Sequence, residues 1–365
     1  MKIFAFIFVF LITLFVNAQQ IGNTLSLLFM GDIMGHSPQI EGAYDSNTKT
    51  YNYHPVFNKI KHKFQEVDFA IANLEVTLAG EPFKGYPQFS SPDALAVACQ
   101  NSGINVLVTA NNHSCDRGKN GIIRTIDVLD SLGIAHTGTF RNREEYEKNN
   151  LLVLTKNGIS VGILNYTYGT NGIPIPEPTI VNIIDLEKIK IDIQNAKMQP
   201  IDKLIVAIHW GVEYQQQQSK KQENIAQFLF ENGVDIIIGS HPHVLQPMHY
   251  SPITGLQNER LVVYSLGNFV SNQRKSPCDG GAMLEITFFK DAQTTQIINH
   301  GYHLVWVNKT QKENSEHHLF EILPCKEYEN NNFKNLDEKT IQDMKIFIEN
   351  SRNLFKNNIG VNELK

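Results

Sequence analysis

Five apolar runs in this chain each stop on residues that can hold a metal ion or move a proton. Leu25–Met30 (LSLLFM) runs into Gly31-Asp32, Val67–Ala72 (VDFAIA) into Asn73-Leu74-Glu75, and Ile104–Thr109 (INVLVT) into Asn111-Asn112-His113. Further along, Leu204–Ile208 (LIVAI) meets His209, and Val234–Ile238 (VDIII) meets Gly239-Ser240-His241-Pro242-His243. Short continuous apolar runs predict strands buried on both faces. Helical patterns fall between them, at Asp93–Asn101, Gly121–Leu132 and Gln222–Phe230. Strands alternating with helices predict a layered α/β fold, and in open α/β sheets ligands gather at the carboxyl ends of the strands.

Composition narrows the chemistry. Hydrophobic residues are 42% and charged residues 19%, as in a globular chain. Lys+Arg 32 against Asp+Glu 37 gives 32 − 37 = −5, which argues against a nucleic-acid partner and gives little support to an anionic membrane surface. Histidine outnumbers cysteine thirteen to four. Cys99, Cys115, Cys278 and Cys325 make no CxxC pair, so a thiolate metal site is not suggested and buried free thiols fit as well as disulfides.

At the N-terminus Lys2 precedes the apolar run Ile3–Val16, and Val16-Asn17-Ala18 has the small residues of a signal-peptidase site. The expectation is a signal peptide over 1–18 and an exported protein of the periplasm or cell envelope, membrane-anchored if the signal is retained. Residues 19–308 read as one large domain. Residues 309–365 read as a polar segment and a last helix, around Asp337–Phe355, packed on the body.

Carboxylate, amide oxygen and imidazole are donors that suit Mn, Zn or Fe. Asp32, Glu75, Asn112, His209, His241 and His243 are the candidate ligands, with His113 beside them. Pro242 favours an extended His241-Pro-His243 segment, which would put both rings on one face. Asp116 and Glu213 are near enough in sequence to orient the histidines. Trp210, Tyr214 and Asn268 could line the cleft or serve packing and turns.

The same blocks carry a family resemblance. Phe29–His36 (FMGDIMGH), Ala72–Leu78 (ANLEVTL), Ala110–Gly118 (ANNHSCDRG), His209–Tyr214 (HWGVEY), Gly239–Pro247 (GSHPHVLQP) and Tyr264–Val270 (YSLGNFV) resemble the CapA family of bacterial capsule and poly-γ-glutamate synthesis. That family is similar to the calcineurin-like metallophosphatases. The resemblance implies a four-layer α-β-β-α sandwich of the metallo-dependent phosphatase type, holding one or two divalent metal ions. It implies that Asp32 is the first-motif ligand, Glu75 the bridging carboxylate, Asn112 a ligand and His113 the catalytic histidine. It further implies that His209, His241 and His243 complete the ligand set. Two departures stand out: Met34 occupies the place of the usual Asp-x-His histidine, with His36 two residues on, and glutamate replaces the usual bridging aspartate.

The implied chemistry is hydrolysis by metal-activated water, with His113 as proton donor, Asp116 and Glu213 as orienting groups, and His36 facing the substrate. The substrate would be a phosphoester or an anionic polymer with γ-glutamyl amide bonds, and the partners membrane-bound capsule synthesis or export proteins. The competing reading is a non-catalytic envelope accessory that binds anionic polymer.

Overall fold

A computed structural model describes residues 23–252, 259–292, 294–312 and 315–364. The signal expected over 1–18 lies outside the described residues. Among the described residues, no helix is long and apolar enough to cross a membrane.

Four parallel strands are laid down side by side in chain order: β1 (Thr24–Ile33), β2 (Phe69–Leu74), β3 (Val106–Val108) and β4 (Ala135–Thr137). Helix α1 (Ala94–Ser102) connects β2 to β3, and α2 (Gly118–Ser131) connects β3 to β4. The chain then builds a second sheet from β5 (Leu152–Lys156), β6 (Ile159–Thr167), β7 (Lys203–His209), β8 (Ile236–Ser240), β9 (Leu245–Ser251) and β10 (Arg260–Leu266). Its order is β9-β10-β8-β7-β6-β5, with α3 (Leu186–Lys197) leading into β7 and α4 (Lys220–Glu231) into β8. Finally β11 (Asn268–Val270), β12 (Gly280–Lys290), β13 (Thr295–Gln311) and β14 (His318–Pro324) return to the first sheet. There β11 pairs with β1, while β12, β13 and β14 extend the sheet antiparallel on the far side of β1.

The apolar runs explain the layering. Along a strand, alternate side chains point to opposite faces, so an unbroken apolar run feeds two cores at once. From β1, Leu25, Leu27 and Phe29 enter the core shared with Ile205 and Ala207 of β7 and Ile236 and Ile238 of β8, between the two sheets. Leu28 and Met30 enter an outer core with Leu95, Ala96 and Cys99 of α1. From β7, Leu204, Val206 and Ile208 pack outward against Ile189 and Ile193 of α3 and Ile225 and Leu229 of α4. The result is the four-layer α-β-β-α sandwich that the resemblance implies.

The C-terminal region departs from its reading in one respect. Lys309–Gln311 continues β13, and β14 adds a further edge strand where a polar surface segment is expected. The polar appearance of this stretch reflects an edge strand with one solvated face. The last helix, α5 (Glu338–Phe355), buries Met344, Phe347 and Ile348 in the inter-sheet core. The four cysteines are free and buried.

Candidate metal centre

The site begins with an irregularity in β1. Phe29 pairs with Ile71 and Asp32 with Asn73, so β1 carries one more residue than β2 between these pairs. Such a bulge re-aims the side chains that follow it. It brings Asp32 level with Asn73, whose Nδ2 donates to Asp32 Oδ1 at 2.8 Å. The bulge leaves room for no side chain at Gly31: a Cβ there would stand 1.9 Å from the Gly267 carbonyl oxygen. On the far side of that contact, Asn268 of β11 pairs with Asp32.

The other residues arrive on their own strand ends. Glu75 follows β2, its backbone N–H donating to Ile33 O at 3.0 Å. His209 is the last residue of β7 and is fully buried. The turn after β3 is pinned by Asn111, whose Nδ2 donates to Leu74 O at 2.8 Å and whose Oδ1 accepts from the His113 N–H at 3.0 Å. The His241-Pro-His243 segment is not extended: φ is +99° at His241 and +57° at His243. The rings still converge, with centroids 6.1 Å apart, but through two left-handed residues. Such backbone costs about 1–2 kcal/mol per residue and collects where a site over-determines it.

Two triads of ligand atoms share one carboxylate. Glu75, His209 and His241 present ligand atoms within 4.8 Å of one another, and so do Asp32, Glu75 and His243. Glu75 Oε1 lies 3.5 Å from His209 Nε2 and 3.8 Å from His243 Nε2. Both Glu75 oxygens are buried without a hydrogen-bond partner, and so is His241 Nδ1. Asn112 Oδ1 lies 2.7 Å from His209 Nε2 and joins the first triad. A buried carboxylate with no donors is costly unless a cation or a proton compensates it. The residues present therefore fit divalent metal, with Glu75 common to both groups of ligand atoms.

The electrostatics agree. Burial, then the neighbouring charge of Asp32, holds the Glu75 carboxyl well above the ordinary range. Burial, reinforced by the other histidines, keeps His209 well below its ordinary value and pushes His241 down to about 3. Neutral imidazoles are the ligand form, and a carboxyl that holds its proton without metal would lose it to one.

Behind the triads stands a shell that sequence reading found only in part. His113 Nδ1 is 2.7 Å from Asp116 Oδ2. His209 Nδ1 is held by Ser240 Oγ at 2.9 Å and Asn73 Nδ2 at 3.3 Å. His243 Nδ1 lies 3.1 Å from Asn268 Oδ1 and 3.2 Å from Asp32 Oδ2. Glu213 does not orient a histidine: it is exposed and its side chain bonds to that of Tyr214. Neutral hydrogen-bonding groups at the strand ends perform that task. His36 belongs to neither triad. It caps the short helix Ser37–Ala43, its Nδ1 accepts from the Asn272 N–H at 3.3 Å, and burial pushes its pKa down to about 4. Met34 is packed in the outer core and offers no ligand to the Asp32 triad. Trp210 is a packing residue, its indole N–H donating to Tyr264 O at 2.9 Å. Tyr214 is exposed beside His243, and Tyr168, which sequence reading missed, lies against the His241 ring with centroids 4.5 Å apart. Among the incidental histidines, His62, His136 and His303 pair with Glu327, Asp130 and Glu285.

A four-layer α-β-β-α sandwich carrying a buried cluster of carboxylates and histidines at its strand ends is thus the class of protein. The chain belongs to the bacterial capsule synthesis protein PGA_cap family, whose profile matches residues 26–273. Over 262 residues it is 28% identical to the capsule biosynthesis protein CapA of Bacillus anthracis, a match covering 68% of this chain and 60% of that one. It is 27% identical over 265 residues to the PGA biosynthesis protein CapA of Bacillus subtilis (strain 168), covering 69% of this chain and 64% of that one. The chain therefore spans less than two thirds of the length of these relatives. Among solved structures it is similar to the calcineurin-like phosphoesterase YfkN from Bacillus subtilis, with a TM-score of 0.44 and 13% identity over 90% of this chain and 98% of that one.

Proposed function

We propose that this chain is an exported, divalent-metal-dependent hydrolase of capsule synthesis, acting on a phosphoester or on a γ-glutamyl amide of an anionic polymer. The observation that carries the reading is Glu75, a fully buried carboxylate with two unpartnered oxygens at the intersection of two ligand triads. Bound ions would supply Lewis acidity at the scissile group and lower the pKa of a water there. One ion would be held by Glu75, Asp32 and His243, the other by Glu75, Asn112, His209 and His241.

The chain's own groups supply the proton chemistry. Asp116 accepts the Nδ1 proton of His113 and also the Phe89 N–H at 2.7 Å, so the ring cannot turn without breaking a buried bond. That leaves Nε2 of His113 as the nitrogen that delivers a proton to the leaving group. Phe89, edge-on to His113 with centroids 4.6 Å apart, closes one side of the ring. Tyr168 and Tyr214 stand exposed beside His241 and His243, where they would bound an incoming substrate. The N-terminal apolar segment would export the protein, placing it near membrane-bound capsule synthesis or export proteins.

One observation favours a second reading, a non-catalytic accessory that binds anionic polymer. Met34 in the core leaves the Asp32 triad with a reduced ligand set. Metal analysis of the purified protein separates the two, followed by turnover of p-nitrophenyl phosphate and of γ-glutamyl polymer with His113→Ala as control. The hydrolase reading expects bound metal and turnover of at least one substrate that the variant loses. Absence of both metal and His113-dependent turnover would leave the accessory reading.

A further inference from the structure

Away from the metal centre, a cavity of about 640 Å³ lies between β13 and the start of α5. Ligand pockets fall in this size range, with a few placed polar groups. Two of its polar groups are unsatisfied. Arg274 Nη1 and Asp279 Oδ1 are both buried, and neither has a hydrogen-bond partner. Asp279 is 5% exposed, and its other oxygen accepts the Trp306 indole N–H at 2.9 Å. The Arg274 guanidinium sits 5.5 Å from the centroid of the Trp306 ring. The indole thus stands against both groups, and they remain unpaired although they share one cavity. A buried donor and a buried acceptor left open each forfeit a hydrogen bond, a cost proteins seldom carry twice in one place without a ligand or ordered water.

The remaining charges decide what kind of ligand fits. Arg274, Lys309 and Lys339 face Asp279, Asp337 and Asp343 around the cavity, three cations against three anions. A simple anion would meet as much repulsion as attraction, and so would a simple cation. Several of these charges are already engaged: Lys309 Nζ donates to Asn272 Oδ1 at 2.9 Å, and the Asp337 carboxylate takes the Thr340 N–H at 2.9 Å and its hydroxyl at 2.6 Å. The positions left without a partner are one guanidinium nitrogen and one carboxylate oxygen, both buried beside the indole at the cavity wall. We propose that this cavity binds a small zwitterionic α-amino acid, its carboxylate on Arg274 and its ammonium on Asp279. Carboxylate–guanidinium and ammonium–carboxylate bonds are the charge-assisted kind, the strongest a neutral cavity can offer. The cavity shares a loop with the metal centre, since Gln273 Oε1 accepts from Nδ2 of the same Asn268 that holds His243.

Calorimetric titration of the full chain with L-alanine, L-glutamate and L-lysine tests this, with propionate and ethylamine as probes that each carry one of the two charges. The expected result is saturable binding of at least one amino acid, with both single-charge probes about tenfold weaker or worse, as the loss of one charge-assisted bond demands. Arg274→Gln and Asp279→Asn should each weaken that binding by about the same factor while the circular dichroism spectrum is unchanged. If one variant fails to fold, the other decides. Three outcomes would each overturn the proposal: no binding of any of the three amino acids, propionate or ethylamine binding as well as they do, or full affinity in the folded variants.

Discussion

His113 Nδ1 stands 2.7 Å from Asp116 Oδ2, and both side chains are buried. A carboxylate can only accept, so Nδ1 carries the proton and Nε2 is the nitrogen that exchanges one with a substrate. His113→Ala should lower turnover by about 10²- to 10⁴-fold, the usual worth of a positioned general acid. Metal content should stay at the wild-type level, because His113 is in neither ligand triad. Asp116→Asn should cost less and should shift the pH–rate profile, since the ring loses its fixed tautomer but keeps its place. Parallel metal analysis and pH–rate curves for the two variants provide the check; a loss of metal in His113→Ala would contradict the assigned role.

Glu75 belongs to both triads, so its replacement should act on both ions at once. Glu75→Gln should lower metal stoichiometry at both positions, whereas His243→Asn and His209→Asn should each deplete one more than the other. Titrating metal into depleted protein should also release protons, because the Glu75 carboxyl is held well above its ordinary range without metal. Calorimetry in buffers of differing ionisation enthalpy measures that release, and a heat independent of buffer would contradict it.

The buried imidazoles make a prediction about acid stability in metal-depleted protein. A histidine with a depressed folded pKa contributes stability above its unfolded value and loses it as pH falls toward the folded one. For His36 that window runs from 6.5 down to about 4, and for His241 from 6.5 down to about 3. Glu75 acts with the opposite sign: its raised carboxyl costs stability as pH climbs above the ordinary 4.5. Denaturation midpoints across this range should fall on acidification, and His241→Asn should flatten the fall. Glu75→Gln should steepen it, by removing the term that opposes it. Urea melts of the three proteins at matched pH are sufficient, and identical slopes would refute the assignment.

Most of this centre was legible in the sequence because strand-end polar residues interrupt apolar runs. Asp32, Glu75, Asn112, His209, His241 and His243 each announce themselves that way. What was not legible depends on backbone detail that side-chain type does not encode. The bulge at Gly31 and the positive φ values at His241 and His243 arise from tertiary contacts, so an extended HxH segment was the natural but incorrect reading. Asn73, Ser240 and Asn268 look like turn residues, and only pairing across strands makes them partners of Asp32, His209 and His243. Glu213 misled for the converse reason: nearness to His209 in sequence is not nearness of its carboxylate to the ring. The Arg274–Trp306–Asp279 cluster draws on the loop before β12 and on β13, and no periodicity links them.

The close approach of Gly31 to Gly267 makes a last prediction about how the fold supports the site. In Gly31→Ala the new Cβ would stand 1.9 Å from a backbone oxygen, which cannot swing aside as a flexible side chain could. The strand must move instead. β1 is hydrogen-bonded on that side through Asp32 N to Gly267 O at 3.1 Å, and the next residue, Asn268, holds His243. Overpacking of this kind costs about 1–3 kcal/mol. The displacement should reach the Asp32 triad before the Glu75–His209–His241 triad, because Asp32 and Asn268 are the residues pushed apart. Gly31→Ala should therefore lower the denaturation midpoint and weaken one metal position selectively. Titration with Mn followed by electron paramagnetic resonance should show one site retained and the other weakened, whereas equal loss at both would mean that the bulge does not govern the placement of Asp32.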